Sequence, residues 1–508
     1  MMEYKMPQFP QSFWQASVNL QKFPPLKQSI KVDVGIVGGG ITGITAAYLL
    51  AQQNLKVALL DAGQILNGVT GHTTAKITAQ HGLIYNELLQ HFGKEKARLY
   101  YKAAEEAKDI IERIITKHDI ACHFRREDAY LYTNTHDYVH KLKQEYKAYE
   151  QLNIPSDIVD SMPLNIPMKS AIVMKGQAQF HPVKYLKTLV DEAVNNGLDI
   201  YEQTTAVGIE YAKHPTIITR DEHRVTCRYV IQASHYPFYD GEGFYPIRMY
   251  PERAYIIGVK TPKTYPGGMY INAETPSRSI RNTPFKDEDL WLVVGENHKP
   301  GQGIPTIKHY EALQAFAEKH FGISEFVYRW SAQDLTTLDK VPYIGPVTAR
   351  QSNVFIATGF RKWGMTSGTI AGKIFHDLIT MQGSPYEKLF TPRRFQADPS
   401  VRTFIQMNAD VMKHLIKGKL EYKTANINEL SFDEAITTRI NGRRTGIYKD
   451  QDGKIYAVDT TCKHMGCEVE WNSGDRTWDC PCHGSRYKFT GEVIEGPAKE
   501  PLNKVKLN

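Results

Sequence analysis

The sequence of 508 residues predicts an α/β domain with a parallel sheet, interrupted by an inserted mixed α+β part and followed by a small all-β domain. Three observations support this prediction. Near the start, two apolar runs of strand length flank a helix-like stretch, which is the pattern of a βαβ unit. A strand, a glycine turn and a helix pattern recur at 353–380. After Thr424 the chain changes to short alternating strands, separated by turns such as Asn441-Gly442.

The first βαβ unit has strands at 32–37 and 55–60 and, between them, the spacing G-x-G-x-x-G before a helix. The first glycine permits a tight turn, the second lets the backbone approach a pyrophosphate, and the third lets helix and strand pack closely. The helix amino terminus offers N–H groups to phosphates, and an acid at the end of the second strand can accept from ribose hydroxyls. The unit therefore predicts dinucleotide binding, with a glycine-rich turn in a plain α/β domain as the alternative. The candidate residues are Gly38, Gly40, Ile41, Thr42, Gly43 and Asp61.

Two further segments favour FAD over NAD. The Gly/Thr-rich loop at 68–76 directly follows the second strand and can run its amides along a flavin. The other segment is the glycine turn after the strand at 353–358, where a helix start again directs N–H groups at an anionic oxygen. These segments add to the candidate cofactor-binding residues Gly71, Gly359, Trp363, Gly364 and Met365.

Together with the run Asp339-Lys-Val-Pro-Tyr-Ile-Gly-Pro346, these motifs resemble the FAD-dependent D-amino-acid-oxidase-like family, which includes amino-acid, sarcosine and related amine oxidoreductases. The resemblance implies an α/β Rossmann-like FAD-binding domain with an inserted mixed α+β substrate domain. It also implies FAD as the cofactor and a small amine or amino acid as the substrate. Arg281 occurs where relatives often hold a substrate carboxylate, with ordinary surface pairing as the alternative. Lys76 could sit over the flavin ring, with a loop-anchoring salt bridge as the alternative.

Four of the six cysteines lie between 462 and 485, in the runs Cys462-Lys-His464-Met-Gly-Cys467 and Cys480-Pro-Cys482-His483-Gly-Ser485. Each run offers a thiol and an imidazole. Two sulfur and two imidazole ligands suit either a tetrahedral zinc ion or a [2Fe–2S] cluster with cysteines on one iron and histidines on the other. A zinc site would have no use for the remaining two cysteines.

The two cysteine runs, with Tyr487 and the loop Gly496-Pro497-Ala498, resemble the Rieske family. The resemblance implies a small all-β Rieske domain with a [2Fe–2S] cluster and a disulfide between Cys467 and Cys482. It also implies that hydroxyl groups of Ser485 and Tyr487 donate to sulfur, which raises the potential of the cluster. The implied iron ligands are Cys462 and Cys480 on one iron and His464 and His483 on the other.

The charge and hydropathy patterns argue against nucleic-acid and membrane functions. Lys and Arg number 62 against 55 Asp and Glu, for a net charge of +7 without a dense basic stripe, so we expect no nucleic-acid partner. No apolar run approaches the roughly 20 residues that cross a bilayer, and no signal-peptide pattern is present. We therefore expect no integral membrane segment and a cytoplasmic location, although a structural disulfide is unusual in a reducing compartment.

The predicted domain organisation has four parts. These are an amino-terminal arm at 1–30, an FAD-dependent oxidoreductase domain at 31–387, a helical connector at 388–423 and the Rieske domain at 424–508. Within the second part we expect FAD-binding segments at about 31–83, 155–235 and 335–387 and a substrate segment at about 245–330.

The two cofactors together predict a dehydrogenase of a small amine or amino acid that passes electrons from flavin to the cluster and on to an unidentified external acceptor. Linking both centres in one chain raises their effective concentration. Because an amine must be neutral to release a hydride, we expect flavin reduction to become faster as pH rises. One alternative is an electron-transfer or redox-sensing protein without a small substrate. Another is a Rieske oxygenase, which needs a mononuclear iron held by two histidines and a carboxylate.

Overall fold

In the computed structural model, which describes residues 5–394, 397–420 and 427–507, the first domain is built on a six-stranded sheet. Two of its central strands are buried along their whole length, because helices cover one face of the sheet and a small sheet that contains Thr216–Thr219 covers the other. Five strands run parallel, and one edge strand pairs antiparallel to its neighbour. In spatial order the strands are Tyr343–Thr348, Gln351–Thr358, Tyr229–Gln232, Val34–Val37, Val57–Leu60 and Asp199–Tyr201.

Two glycine-bearing helices, Ile41–Ala51 and Gly364–Ile379, pack against each other beside this sheet. A Cβ atom at Gly372 would lie 2.9 Å from the backbone nitrogen of Ala46, so the two helix backbones approach closely. This contact brings the amino termini of both helices, and the two glycine turns before them, to the same end of the sheet. The first helix is followed by Asn54, which adopts the left-handed conformation expected after a helix end.

A second, larger sheet has nine strands and is mostly antiparallel. Eight of them are, in spatial order, Glu325–Thr337, Met249–Lys260, Glu288–His298, Arg278–Phe285, Met269–Asn272, Arg125–Thr133, Ser170–Gln179 and Lys76–Ile77, and Asp157–Val159 pairs with Ser170–Gln179. The predicted FAD-binding segment at 155–235 is divided between the two sheets. Its first two strands, Asp157–Val159 and Ser170–Gln179, belong to the larger sheet. An apolar run of strand length is compatible with either sheet, so the sequence alone does not show to which sheet such a strand belongs.

The remaining elements are a small sheet, the helices and short 3₁₀ turns. The small sheet pairs Ile30–Lys31, Arg224–Thr226, Thr216–Thr219 and Ala206–Glu210. The other helices are Phe13–Ala16, Tyr85–Lys117, His136–Leu152, Pro182–Asn195, Ile307–His320, Glu387–Phe390 and Ala397–Leu420, and the 3₁₀ turns are Val69–His72, Tyr245–Ile247 and Ile427–Glu429. None of the described helices is both long and apolar enough to cross a membrane.

The described part of the amino-terminal arm lies on the first domain. Phe13 and Trp14 are buried. The indole nitrogen of Trp14 donates to the carbonyl of Thr73 at 2.7 Å, and the Ser12 hydroxyl donates to the carbonyl of Gly71 at 2.5 Å. The arm therefore supports the Gly/Thr-rich loop from behind.

The carboxyl-terminal domain consists of two small antiparallel sheets. One contains Glu434–Ile440, Arg443–Lys449 and Ile455–Asp459, and the other contains Glu470–Asn472, Thr477–Asp479, Arg486–Lys488 and Val493–Glu495. The turn Asn441-Gly442 joins the first two strands as a hairpin, as predicted. The domain has its own core, centred on Trp478 and Tyr487. The predicted fold class is confirmed, whereas the predicted boundary between 423 and 424 lies outside the described residues.

Candidate functional site

A cavity of about 800 Å³ lies at the end of the parallel sheet where its strands meet the two glycine turns. Its volume is in the range of small-molecule and cofactor sites. One side is the apolar face of the nine-stranded sheet, which contributes Ala254, Ile256, Ile271, Val294 and Ala332. From the predicted cofactor-binding set the cavity is lined by Gly38, Gly40, Ile41, Thr42, Asp61, Trp363, Gly364 and Met365.

The glycines of the first turn have the geometry that their spacing predicts. Gly38 has a φ of 109°, and a Cβ there would lie 2.4 Å from the carbonyl oxygen of Ala233. A Cβ on Gly43 would lie 2.0 Å from the carbonyl oxygen of Gly38, so only glycine lets this helix approach the strand. At Gly40, by contrast, a Cβ would meet only the Thr70 hydroxyl within 4 Å, at 3.1 Å. The turn is therefore closed behind and open towards the cavity.

The helix Ile41–Ala51 begins at this opening. Its N-cap residue, Gly40, has no side chain that could accept from the first N–H groups of the helix. The N–H of Ile41 donates to the Thr70 hydroxyl at 3.0 Å, and both residues line the cavity. A helix amino terminus presents free N–H groups and the positive end of its dipole, which suits a phosphate group. This part of the cavity thus fits the pyrophosphate of a dinucleotide.

Asp61 stands at the cavity wall and also holds the turn together. Its two oxygens accept backbone N–H groups of Gly39 and Gly63, each at 2.8 Å. Burial raises the pKa of Asp61, and the two backbone donors oppose that shift. Each carboxylate oxygen has a second lone pair, so ribose hydroxyls can still donate to it. The residues present fit an FAD dinucleotide.

Four of the residues predicted to bind FAD or the substrate do not line the cavity. Gly43, Gly71 and Gly359 are absent from the lining and act through backbone packing. A Cβ on Gly71 would lie 2.2 Å from the carbonyl oxygen of Leu66, and one on Gly359, where φ is 77°, would lie 2.4 Å from the side chain of Thr337. The expectation that Gly71 directs its amide at the flavin is not met, because that amide donates to the carbonyl of Gly68.

Arg281, which was predicted to hold a substrate carboxylate, is the fourth residue that does not line the cavity. Its guanidinium is buried and donates to the carbonyls of Thr74 and Ala75 at 2.7 and 2.8 Å. It therefore anchors the Gly/Thr-rich loop and does not line the cavity. We do not propose it as a carboxylate ligand, because it lies off the cavity wall and its Nε and Nη1 donate to backbone carbonyls.

Lys76 does line the cavity, on the sheet face. Its ammonium donates to the carbonyl of Tyr270 at 3.0 Å and to the hydroxyl of Ser279. An ammonium has three donors, so one remains for a ligand. Burial, helped by the charge of Arg281, lowers the pKa of Lys76 to about 7.

The four predicted cluster ligands converge in pairs. The thiols of Cys462 and Cys480 are both buried and lie near each other, and the rings of His464 and His483 lie 4.9 Å apart and perpendicular. Within the described residues, the one set of three or more potential ligand atoms within 4.8 Å of one another is Cys467, Cys480 and Cys482, a set that includes both disulfide sulfurs. The ligands are thus not gathered around one point as tetrahedral zinc requires, and the pairing of like ligands suits two irons.

The surroundings of these ligands also match a [2Fe–2S] centre. Cys467 and Cys482 form the predicted disulfide. The Tyr487 hydroxyl lies 3.2 Å from the sulfur of Cys462. The buried hydroxyl of Ser485 accepts from the N–H of Ala498 at 3.2 Å, which leaves its own proton free for a sulfur atom. Nδ1 of His483 is buried and has no hydrogen-bond partner within the described part of the chain, as befits a metal ligand.

The carboxyl-terminal domain docks directly on the first domain and completes the cavity. Residues 493–499 of its last strand and following loop line the cavity wall. Tyr236 of the first domain also lines the cavity, and its ring contacts that of His464, with centroids 6.1 Å apart. Neither the docking nor the position of Tyr236 was predicted from the sequence. Tyr236 follows the carboxyl end of a parallel strand, where α/β sheets bind ligands, so its position could have been inferred; the docking itself has no local signal.

Comparisons with known proteins agree with this geometry. The model of the FAD dependent oxidoreductase family, DAO, matches residues 33–378. The chain belongs to this family. A model of the Rieske [2Fe-2S] domain matches residues 421–506. This DAO-family protein therefore combines an FAD-dependent oxidoreductase domain with a Rieske domain, and its cofactors are FAD and a [2Fe–2S] cluster.

Three similar proteins illustrate the two parts. YhfW of Bacillus subtilis (strain 168), named as a Rieske 2Fe-2S iron-sulfur protein, is 47% identical over 499 residues, which is 98% of each chain. Gamma-glutamylputrescine oxidoreductase of Escherichia coli (strain K12) is 22% identical over 72% of this chain and 88% of its own. The crystal structure of glycine oxidase from Geobacillus kaustophilus has a TM-score of 0.59 at 17% identity and covers 72% of this chain and 99% of its own, which shows the fold.

The disulfide gives a first prediction for this DAO-family chain. Replacing both Cys467 and Cys482 with alanine should lower the stability of the Rieske domain by about 3 kcal/mol, because a cross-link across a loop of ~15 residues removes that much unfolded-state entropy. The measurement is the temperature at which the visible absorbance of the cluster is lost. Each single variant should lose as much as the double variant, since either change breaks the bond. A double variant that melts at the wild-type temperature would contradict the prediction.

Proposed function

We propose that the protein is a dehydrogenase of a small amine or amino acid that passes electrons from FAD to the Rieske cluster and on to an external acceptor. The observation that carries the proposal is the shared cavity wall. Fingerprint residues such as Gly40 and the Rieske segment 493–499 line one cavity, and Tyr236 on that wall touches the predicted ligand His464. If the Rieske domain had only a structural role, it would not need to form part of the wall of the cofactor cavity.

Each part of the chain has a definite task in this proposal. Bound FAD accepts a hydride from the substrate and gives up electrons singly, and the cluster carries one electron at a time. The first glycine turn and helix hold the pyrophosphate, and Asp61 holds the ribose. Cys462 and Cys480 hold one iron and His464 and His483 the other. The apolar sheet face, with Ala254 and Ile256, excludes water from the place where the hydride is transferred.

The substrate class is supported by the related proteins and by one charged side chain. A gamma-glutamylputrescine oxidoreductase acts on an amine, and a glycine oxidase acts on an amino acid, as their names say. In the cavity, Lys76 keeps one donor free and sits among the apolar side chains of the sheet face. A charge-assisted hydrogen bond from it would hold the carboxylate of an amino acid. We therefore favour an amino acid over a simple amine.

Lys76→Met tests this assignment. The KM for an amino acid should rise about 10- to 100-fold, as for the loss of a hydrogen bond to a charged group worth about 1.5–3 kcal/mol. In the wild type, the ammonium is charged below its pKa of about 7, so the KM should be low there and rise as pH passes that value. The same measurements with the amine that lacks the carboxylate serve as the control. An equal effect of the variant on both substrates would contradict the role of Lys76.

The function itself is tested by an anaerobic screen. Purified protein is mixed with amino acids and amines, the flavin absorbance is followed, and samples are frozen for EPR. A substrate should bleach the flavin, and the rhombic signal of a reduced Rieske cluster should grow within the same turnover. If no amine or amino acid bleaches the flavin but the cluster exchanges electrons with a protein partner, the protein is an electron-transfer or redox-sensing protein and the dehydrogenase proposal fails.

A further inference from the structure

Tyr236 lines the cofactor cavity and also packs against a predicted ligand of the cluster. It follows the strand Tyr229–Gln232 of the parallel sheet and lines the cavity. Its ring packs edge-on against His464, with centroids 6.1 Å apart and planes at 72°. Only 6% of the residue is exposed. One aromatic ring thus touches both the wall of the FAD cavity and a predicted iron ligand.

The backbone around Tyr236 is held by the same elements that form the cavity. The N–H of Ala233 donates to the carbonyl of Val37 at 2.8 Å. The Ser234 hydroxyl donates to the carbonyl of Tyr236 at 2.8 Å, and the Thr358 hydroxyl donates to the carbonyl of His235 at 2.6 Å. The ring is therefore fixed relative to the first glycine turn and to the strand before the second. Such fixed placement is what a contact between two redox centres requires.

The hydroxyl of Tyr236 does not explain why a tyrosine stands here. It is buried and has no hydrogen-bond partner within the described residues, a state that costs stability compared with phenylalanine. What the residue supplies to its surroundings is an uncharged aromatic ring that fills the space beside His464.

We propose that Tyr236 is a positioning residue for electron transfer, and that single electrons pass between FAD and the cluster through the contact of its ring with His464. This inference rests on the proposed function. In each step the reduced flavin loses one electron and one ferric ion of the cluster becomes ferrous. The external acceptor reoxidises the cluster before the second electron follows, and the two protons of the reduced flavin leave to solvent. Two such steps return the flavin to its oxidised form.

The test uses the full-length holoprotein and needs no substrate. Bound flavin is reduced by light with EDTA as the electron donor under anaerobic conditions, and reduction of the cluster is followed by absorbance and by EPR. In Y236L the rate of cluster reduction should fall severalfold, because leucine removes the ring that contacts His464. Y236F keeps the ring and should keep the wild-type rate.

Controls separate electron transfer from assembly. Rates are normalised to the FAD content and to the EPR spin count, and a redox titration should give the same cluster potential in every variant. Y239L removes an aromatic ring from the same turn, at a residue that does not line the cavity, and should transfer at the wild-type rate. If Y236L does not assemble a cluster, Y236M, with its longer side chain, replaces it.

The outcomes distinguish this inference from the proposed function. A wild-type protein whose photoreduced flavin never reduces the cluster would overturn the electron relay itself. A wild-type protein that transfers electrons, with an unchanged rate in Y236L, would overturn the role of Tyr236 alone. Equal slowing in Y236F and Y236L would also overturn it, because the ring would not be the contact that matters.

Discussion

Arg253→Met is expected to loosen the docking of the Rieske domain and to cost about 3–5 kcal/mol, as does removal of one partner from a buried ion pair. Arg253 lies on the strand Met249–Lys260 of the first domain and is fully buried. Its guanidinium lies 3.0 Å from Glu495 and 3.4 Å from Asp479, both in the Rieske domain. Methionine keeps the aliphatic part of the side chain but removes the guanidinium that reaches the two carboxylates from the first domain, so that only Arg486 of the Rieske domain remains beside them.

The measurement follows the two domains separately during urea unfolding. Flavin fluorescence reports the first domain, and cluster absorbance reports the second. We expect one joint transition in the wild type and an earlier loss of cluster absorbance in R253M. The matched control is R224M, in which the exposed pair of Arg224 with Glu210 is lost; such surface pairs are worth only about 0–1 kcal/mol. Coincident wild-type transitions in R253M would show that the ion pairs do not hold the domains together.

The same ion pairs predict how docking depends on pH. Burial opposes ionisation of Glu495, but the guanidinium groups of Arg253 and Arg486 outweigh it and hold the pKa of Glu495 below its usual range. A carboxyl group whose pKa is lower in the folded state stabilises that state above the unfolded pKa, and the stabilisation is lost as pH falls through the folded pKa. The docked state should therefore weaken below about pH 4.3, the ordinary pKa of a glutamate, and less steeply in R253M.

Much of this architecture follows from local sequence, because the relevant residues are consecutive. In the first glycine turn, the close contact of Gly43 with the carbonyl of Gly38 lies inside one βαβ unit. The two cysteine runs likewise carry their ligands and the disulfide Cys467–Cys482 within short loops. In such segments the spacing of a few residues determines the chemistry, so a motif predicts the structure.

The docking of the two domains and the hydrogen-bond partners of buried side chains could not be predicted in this way. Tyr236 meets His464 only because two domains with independent cores fit together, and neither segment carries a local pattern for that fit. Arg281 resembles a substrate ligand by its position in the chain. In the fold its Nη1 donates to the carbonyls of Thr74 and Ala75, more than two hundred residues away in sequence. Whether a buried arginine binds a ligand or the backbone depends on such distant partners.

The second large effect is expected at Gly43, where alanine should abolish stable FAD binding. Its Cβ would lie 2.0 Å from the carbonyl oxygen of Gly38, so the helix must move away from the strand. Overpacking of this kind typically costs about 1–3 kcal/mol, and the shift also displaces the helix amino terminus that serves the pyrophosphate. The measurements are the FAD-to-protein ratio after gel filtration and the melting temperature. The matched control is Gly208→Ala, at a strand glycine whose Cβ would have no neighbour within 4 Å. If G43A kept its FAD and melted like G208A, the close helix–strand contact would not be needed for the cofactor, and the assignment of this βαβ unit as the FAD cradle would fail.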